Sequence, residues 1–154
     1  MNCKQILNDE YIFIYECEEE KTAKIKKETI ECEVRGFEII NSEKDDVVFI
    51  AIDNCLLDSQ DKERCDFGFK VKNKFFLVEL KTDVKPKNRN NRLKKAISQL
   101  KSCIGIFRNK NINECFVCFD KEVVVKASWE SKKIQFLEDT DVSLEISCQK
   151  DLSK

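Results

Sequence analysis

The chain has 154 residues, of which 42% are hydrophobic and 37% are charged. This length and composition predict a single folded domain over residues 1–154, with a core beneath a heavily charged surface, and exclude a disordered or collagen-like chain. No apolar run approaches the roughly 18 residues of a membrane span, the first residues lack the apolar stretch of a signal peptide, and the absence of histidine excludes His-based triads, His-ligated zinc and His-held haem.

Short apolar runs predict a chain built mainly of strands. The predicted strands, in chain order, are residues 11–17, 29–34, 37–40, 47–52, 64–71, 75–81, 113–119, 122–127, 134–137 and 142–146. One amphipathic helix is predicted at 91–107, where apolar residues recur in steps of three and four. The last few residues are expected to fray. Strands on both sides of a helix indicate an α/β fold, in which a central mixed β-sheet is flanked by that helix.

Nine cysteines, an odd number, in a chain with no export signal predict free thiols and a cytoplasmic location. Only Cys115 and Cys118 have metal-ligand spacing, whereas a structural zinc site needs four ligands. We therefore interpret this pair as two cysteines packed in a strand, with zinc or an iron–sulfur cluster as the less favoured alternatives. Cys55 and Cys65 are interpreted as buried small hydrophobes, because no histidine can act as their base.

Positive charge is concentrated in one part of the chain, although the net charge is only −1. Residues 84–113 contain nine lysines and arginines and no acidic residue, which leaves 19 basic against 29 acidic residues elsewhere. A segment of this kind is typical of a surface that meets a polyanion; the alternative is an ordinary solvated face. The candidates for nucleic-acid contact are Lys85, Lys87, Arg89, Arg92 and Lys95.

A hairpin at residues 64–81 carries the candidate chemistry. A two-residue turn at Lys72-Asn73 sets a register in which Asp66 lies directly across from Glu79, with Cβ atoms about 5 Å apart. Lys81 shares the face of Glu79. Two facing carboxylates are unfavourable unless a cation lies between them, and Mg²⁺ prefers carboxylate oxygens. The alternative is a surface hairpin with ordinary ion pairs. The opposite face is predicted to be a core face and carries Phe67, Phe69, Val71, Phe76, Val78 and Leu80.

The hairpin and the helix after it contain, in order, Asp66, a gap of twelve residues, Glu79-Leu80-Lys81 and an amphipathic helix with Gln99. This order of residues resembles the PD-(D/E)xK nuclease superfamily, which includes restriction endonucleases and Holliday junction resolvases. The resemblance covers residues 47–107, which would form the nuclease-like core. Cys65 stands in place of the leading proline of the motif. The hairpin is also similar to that of small bacterial members whose substrates the resemblance does not supply.

The resemblance implies a restriction-endonuclease-like core and metal-dependent hydrolysis of phosphodiester bonds in DNA. It implies that Asp66, Glu79 and the Leu80 carbonyl bind Mg²⁺ or Mn²⁺. It also implies that Lys81 is the catalytic lysine and that Gln99 is the polar helix residue facing the site. The basic segment begins three residues after Lys81 and would hold the DNA backbone beside the carboxylates. Two independent signals therefore predict a nuclease site at this place.

Several features of such a site stay open at this stage. Many members carry a further acidic residue upstream, for which Glu33, Glu38 and Asp53 are candidates, and Lys95 is a candidate to join Gln99. The chain is short for a separate target-recognition domain, so sequence specificity would need a homodimer or a partner protein. Two alternatives remain: a nuclease-fold module that is inactive or works only within a complex, and a protein-interaction domain that binds an acidic partner.

Overall fold

The computed structural model describes residues 2–17, 19–26, 36–57, 63–82, 84–120 and 127–154, and these contain ten strands and two helices. The strands are β1 (Lys4–Leu7), β2 (Tyr11–Cys17), β3 (Thr22–Ile25), β4 (Phe37–Ile40), β5 (Val47–Ala51), β6 (Phe67–Val71), β7 (Lys74–Lys81), β8 (Ile112–Phe119), β9 (Ser143–Ile146) and β10 (Gln149–Asp151). The helices are α1 (Arg89–Ile106) and α2 (Ala127–Thr140). Neither described helix is long and apolar enough to cross a membrane.

The strands form a six-stranded sheet and a four-stranded sheet. The larger sheet has the order β1-β5-β6-β7-β8-β9. The β1–β5, β5–β6 and β6–β7 pairs are antiparallel, and the β7–β8 and β8–β9 pairs are parallel. Because parallel neighbours need a crossover connection, α1 lies between β7 and β8 in the chain and α2 between β8 and β9. The smaller sheet has the order β10-β4-β2-β3, with β10 parallel to β4.

Two hydrophobic clusters lie on the two faces of the six-stranded sheet. The first joins this sheet to the helices, and its members include Leu77, Leu93, Leu100, Trp129 and Phe136. The second joins the two sheets, and its members include Ile14, Phe37, Phe67, Phe69 and Phe116. The layers are therefore helices, six-stranded sheet and four-stranded sheet. Strand β7 lies in the middle layer and is buried from its second residue to its last, so any polar side chain on it is buried as well.

The prediction of an α/β fold with a mixed sheet is confirmed. Strands β2 and β4 have their predicted bounds, and α1 begins two residues before its predicted start and ends one residue before its predicted end. The hairpin has the predicted register, because Val71 pairs with Lys74 and Phe67 pairs with Val78. All six residues assigned to its core face are buried between the two sheets.

The prediction of a strand at 134–137 is wrong, because these residues lie within α2. The four letters Ile-Gln-Phe-Leu alternate like a strand, but the buried residues of α2 are Trp129 and Phe136, seven positions apart on one helical face. Strands β1, β3 and β10 were not predicted, and β10 ends three residues before Lys154. The predicted strand at 29–34 lies outside the described residues, as do all residues of the strand predicted at 122–127 except Ala127, which begins α2.

The prediction that the cysteines are free thiols is wrong for four of them. Cys3 is disulfide-bonded to Cys55, and Cys118 to Cys148, across separations of 52 and 30 residues that a count of cysteines does not reveal. Cys115 lies in the core under the helices, whereas Cys118 faces the other sheet. Three positions along a strand place side chains on opposite faces, so this pair does not converge on one metal position. The cytoplasmic location stays a prediction.

Candidate active site

The hairpin brings two carboxylates together inside the protein. Asp66 immediately precedes β6 and Glu79 lies on β7, next to the last paired residues Phe67 and Val78. The Oδ2 atom of Asp66 accepts a hydrogen bond from the Leu80 amide at 2.6 Å, which fixes the Asp66 side chain against β7. Asp66 and Glu79 are 7% and 2% exposed. Both predicted metal ligands are therefore buried.

Lys81 and Gln99 complete the group. Lys81 shares the face of Glu79, as a strand period of two requires, and its Nζ lies 2.8 Å from Glu79 Oε2. The same Nζ donates a hydrogen bond to Gln99 Oε1 at 2.5 Å. The Gln99 amide in turn donates to the Arg64 carbonyl at 3.2 Å, so Gln99 bridges the lysine and the segment that leads into Asp66. The structure thus brings together all four side chains that the resemblance implies to be catalytic.

Lys95 was a candidate to join Gln99, and the structure places it at the surface instead. Its amine pairs with Glu63 at 2.8 Å, and the Ser98 hydroxyl also donates to Glu63. Helix α1 seats its apolar stripe, which includes Leu100, on the six-stranded sheet, and this rotation leaves Lys95 on the exposed side. Lys95 therefore anchors the helix to residue 63 and does not reach the carboxylates.

Of the three candidate upstream acids, the structure brings Asp53 to the site. Glu33 lies outside the described residues. Glu38 lies on β4 in the four-stranded sheet, where its carboxylate accepts a hydrogen bond from the Gln149 side chain at 3.1 Å. Asp53 follows β5, the neighbour of β6 in the larger sheet, and its amide donates to the Asp66 carbonyl at 3.3 Å. The pairing of β5 with β6 brings Asp53 to Asp66, and the sequence pattern does not predict that pairing.

Arg64 is a site residue that sequence reasoning missed. Its Nη2 atom lies 3.2 Å from Asp53 Oδ1, and its Nη1 atom donates to the Leu57 carbonyl at 2.7 Å. Burial raises the pKa of Asp53, while the charges of Arg64 and Lys81 oppose that rise. The only signal for Arg64 was its position two residues before Asp66. Its contacts hold the side chain of Asp53, the residue whose amide binds the Asp66 carbonyl.

Burial raises the pKa of both carboxyl groups of the hairpin above their ordinary values, because it disfavours the charged forms. For Asp66 the negative charge of Glu79 adds to the rise, and the Leu80 amide and Lys81 oppose it. For Glu79 the main opposing influence is the positive charge of Lys81. When both carboxyls are ionised, the single lysine beside them does not balance their charge.

The donor atoms fit a hard divalent cation. Glu79 Oε1 is buried and has no hydrogen-bond partner among the described residues. Carboxylate oxygens suit Mg²⁺ or Mn²⁺, and Mg²⁺ commonly takes only one or two protein carboxylates. Within the part of the chain that the structure describes, no three acidic or cysteine side chains are grouped as a metal site. A cation held by Asp66 and Glu79 would therefore take its other ligands from water, backbone or phosphate.

Replacing Asp66 with asparagine is expected to stabilise the folded protein. An acidic group whose pKa is raised by folding costs stability as the pH rises from its ordinary value to its value in the folded state. The asparagine side chain cannot ionise, and its carbonyl oxygen can still accept the Leu80 hydrogen bond. We expect Asp66→Asn to raise the free energy of unfolding at pH 8 by about 1 kcal/mol or more, and by less at pH 5. Urea unfolding at both pH values measures this.

The control for that experiment is Asp139→Asn. Asp139 is exposed, and hydrogen bonds from Lys101 and Gln135 lower its pKa. A carboxyl group with a lowered pKa contributes stability above its ordinary pKa, so this variant is expected to lose a little stability near neutral pH. If Asp66→Asn also loses stability, and equally at both pH values, the carboxylate pair does not penalise folding.

The cationic N-terminal end of α1 follows in the chain the strand β7 that carries Lys81. Lys85 and Lys87 are exposed in the turn before the helix, and Arg89 and Arg92 are half-buried in its first turns. The first turn contains no acidic residue, and the N-terminus of a helix favours anions. The predicted nucleic-acid contacts, except Lys95, are therefore close in the chain to the buried carboxylates.

Comparison of the chain with protein-family models, with curated proteins and with solved structures gives no match. The resemblance to a nuclease superfamily therefore depends on the motif that spans Asp66, Glu79, Lys81 and Gln99. The geometry of these four side chains is an independent observation, because a sequence motif does not by itself require its residues to lie together in the folded chain. Motif and geometry together are the basis for assigning a function.

Proposed function

We propose that the protein is a metal-dependent nuclease that hydrolyses phosphodiester bonds in DNA. The observation that carries this proposal is the buried group of Asp66, Glu79, Lys81 and Gln99. Buried ionisable groups cost folding free energy, and such groups with shifted pKa values concentrate at functional sites. The succession β5-β6-β7-α1-β8, with the acidic residues at one end of the β6–β7 hairpin, supports the restriction-endonuclease-like core that the motif implies.

Each residue of the group has a distinct role in this proposal. Asp66 and Glu79 are the residues that would hold Mg²⁺ or Mn²⁺, and a cation there supplies stabilisation of negative charge on the scissile phosphate. Lys81 is held by Glu79 and aimed by Gln99, and from that position its amine can donate to a phosphate oxygen or orient the attacking water. The basic segment neutralises neighbouring phosphates of the DNA backbone.

Cleavage of labelled DNA tests the proposal. The purified protein is incubated with single-stranded, double-stranded and branched DNA, and with RNA, in the presence of Mg²⁺, Mn²⁺ or a chelator. We expect cleavage of at least one DNA substrate, with loss of activity in the chelator and in Glu79→Gln. Cleavage that survives Glu79→Gln would reject the site but not the enzyme class.

The other outcomes separate the alternatives. Salt-sensitive DNA binding without cleavage by the wild-type protein would favour an inactive or partner-dependent nuclease-fold module. Absence of DNA binding at low salt would favour a protein-interaction domain, in which the basic segment meets an acidic protein. The same assay with a dimer-sized fraction from gel filtration, if one forms, tests whether a second copy is required.

Divalent cations are expected to stabilise the protein through the carboxylate pair. A ligand that binds only the folded state at 100 times its Kd adds about 2.7 kcal/mol, which corresponds to a rise in Tm of about 5 to 10 °C for a chain of this size. We expect Mn²⁺ to produce such a rise in the wild type. Glu79→Gln is expected to abolish it, whereas the control Glu38→Gln, on β4 in the other sheet, is expected to retain it. Differential scanning fluorimetry measures all three proteins.

A shift that is equal in the three proteins would place the cation elsewhere. A shift in the wild type without any cleavage of nucleic acid would leave the metal site in place and reject only the activity. The two measurements therefore separate cation binding by Asp66 and Glu79 from catalysis.

A further inference from the structure

A pair of buried cysteines lies directly behind the carboxylates. Cys65 immediately precedes Asp66, and Cys103 lies one helical turn after Gln99 on α1. Both cysteines are completely buried. Their Sγ atoms are 2.7 Å apart, and a disulfide bond requires about 2.05 Å. The two sulfur atoms therefore need to move by less than about 1 Å to reach bonding distance.

This contact is one of a series that ties residues 63–65 to α1. Glu63 binds Lys95 and Ser98, the Arg64 carbonyl accepts from Gln99, and the Cys65 amide donates to the Cys103 sulfur at 2.9 Å. Successive residues of the segment thus contact successive turns of the helix. Because these hydrogen bonds anchor both the segment and the helix next to the sulfur atoms, the two thiols are held in contact.

The two thiols differ in their environment. The Cys103 sulfur accepts hydrogen bonds from both the thiol and the amide of Cys65. These bonds favour the thiolate form of Cys103 and lower its pKa. The thiolate is the nucleophile in disulfide formation, so Cys103 is placed to react first and Cys65, in contact with it, to complete the bond.

We propose that Cys65 and Cys103 are a reversible oxidation site, in which a peroxide converts the two thiols to a disulfide. The Cys103 thiolate attacks one peroxide oxygen, the O–O bond breaks with release of hydroxide, which takes up a proton to become water, and Cys103 becomes a sulfenic acid. The Cys65 sulfur then attacks the Cys103 sulfur, so that the S–S bond forms and water leaves. The two thiols lose two electrons and two protons, and hydrogen peroxide is reduced to two water molecules.

Burial selects the class of oxidant. Hydrogen peroxide is small and polar, which suits a completely buried pair of thiols with the polar side chain of Asp66 nearby. Glutathione disulfide is too large to bring a sulfur atom to a completely buried thiol. The new bond would join residues 38 positions apart, and it would attach the segment that carries Asp66 to the helix that carries Gln99.

Peptide mapping of the folded wild-type protein tests the proposal. The reduced protein is treated with hydrogen peroxide, quenched, alkylated under denaturing conditions and analysed by mass spectrometry. We expect a peptide linked through Cys65 and Cys103 that dithiothreitol converts back to two alkylated thiols. Glutathione disulfide at the same concentration is expected to produce at least tenfold less of it. Because the readout is a covalent bond, it does not depend on nuclease activity.

Two variants supply the controls. Cys103→Ser is expected to give no linked peptide and to leave Cys65 as a thiol. Cys115→Ser, at another buried cysteine of the same core, is expected to form the link as the wild type does. The proposal is overturned if Cys65 and Cys103 remain thiols at a peroxide concentration that oxidises the half-buried Cys17, or if their link resists dithiothreitol.

Discussion

Replacing Lys81 with alanine is expected to reduce the rate of metal-dependent DNA cleavage by about 10²- to 10⁴-fold, the contribution typical of a positioned proton-transfer group. The physical reason is its placement. The amine is fixed between Glu79 and Gln99, so it reaches the transition state without a further cost of ordering. Single-turnover cleavage measures the rate, and a binding assay without metal is expected to show little change in DNA affinity.

Removing Lys81 also leaves Glu79 buried without its cation, which can cost about 3–5 kcal/mol of stability. The double variant Glu79→Gln/Lys81→Met removes the charge of both residues and keeps a similar volume. We expect it to fold at least as well as Lys81→Ala and to be equally inactive. The matched control is Lys74→Ala at the exposed first position of the same strand, which is expected to cleave at the wild-type rate.

An unchanged rate in folded Lys81→Ala would show that the lysine serves only to neutralise Glu79. A loss of cleavage in Lys74→Ala as large as in Lys81→Ala would point to general positive charge on the hairpin. These results would leave the carboxylates as the remaining candidates for the chemistry.

Local signals were sufficient to predict the hairpin that carries the site. A two-residue turn and a side-chain period of two determine which residues face each other, and the structure keeps Lys72 at the positive φ of 54° that short hairpin turns favour. The facing of Asp66 and Glu79 follows from that register alone. Gln99, in contrast, was predicted only through the resemblance to the nuclease superfamily.

Contacts between distant segments could not be predicted in this way. Asp53 meets Arg64 of the hairpin through the pairing of β5 with β6, and Cys103 meets Cys65 through the crossover of α1. No residue type or spacing announces such contacts. The four-stranded sheet could not be predicted for a similar reason. The second apolar face of β7 is typical of any buried strand, and the sequence does not show that another sheet covers it.

The prediction of a strand at 134–137, within α2, shows the limit of a pattern read over only four residues. Ile134 and Leu137 are exposed, although they made the segment look like a buried strand, and the helix is held in place by Trp129 and Phe136. Trp129 also donates a hydrogen bond to the Asn90 side chain at 2.9 Å, which links α2 to the first turn of α1. The position of the cationic end of α1 therefore depends partly on a residue that the sequence did not mark as functional.

Removing positive charge from the N-terminal part of the basic segment is expected to weaken DNA binding strongly. Each phosphate contact that is lost reduces the slope of log K against log salt by about 0.9 for duplex DNA. The triple variant Lys85→Ala/Lys87→Ala/Arg92→Ala should therefore lower that slope by about 2 to 3, and the affinity at moderate salt by about tenfold or more. Titration of labelled duplexes over a range of salt concentrations measures both, and the loss should be similar for unrelated sequences.

The matched control removes the same charge near the turn of the hairpin. Lys70→Ala/Lys74→Ala/Lys154→Ala deletes three exposed cations. Lys70 and Lys74 flank the turn, at the opposite end of the strands from Asp66 and Glu79, and Lys154 lines the same cavity as Lys74. We expect this variant to keep the wild-type salt slope. Equal losses in the two variants would mean that DNA responds only to net charge, and no loss in either would mean that the basic segment does not contact the DNA backbone. A loss confined to the first variant would place the DNA backbone beside Asp66, Glu79 and Lys81, where hydrolysis requires it.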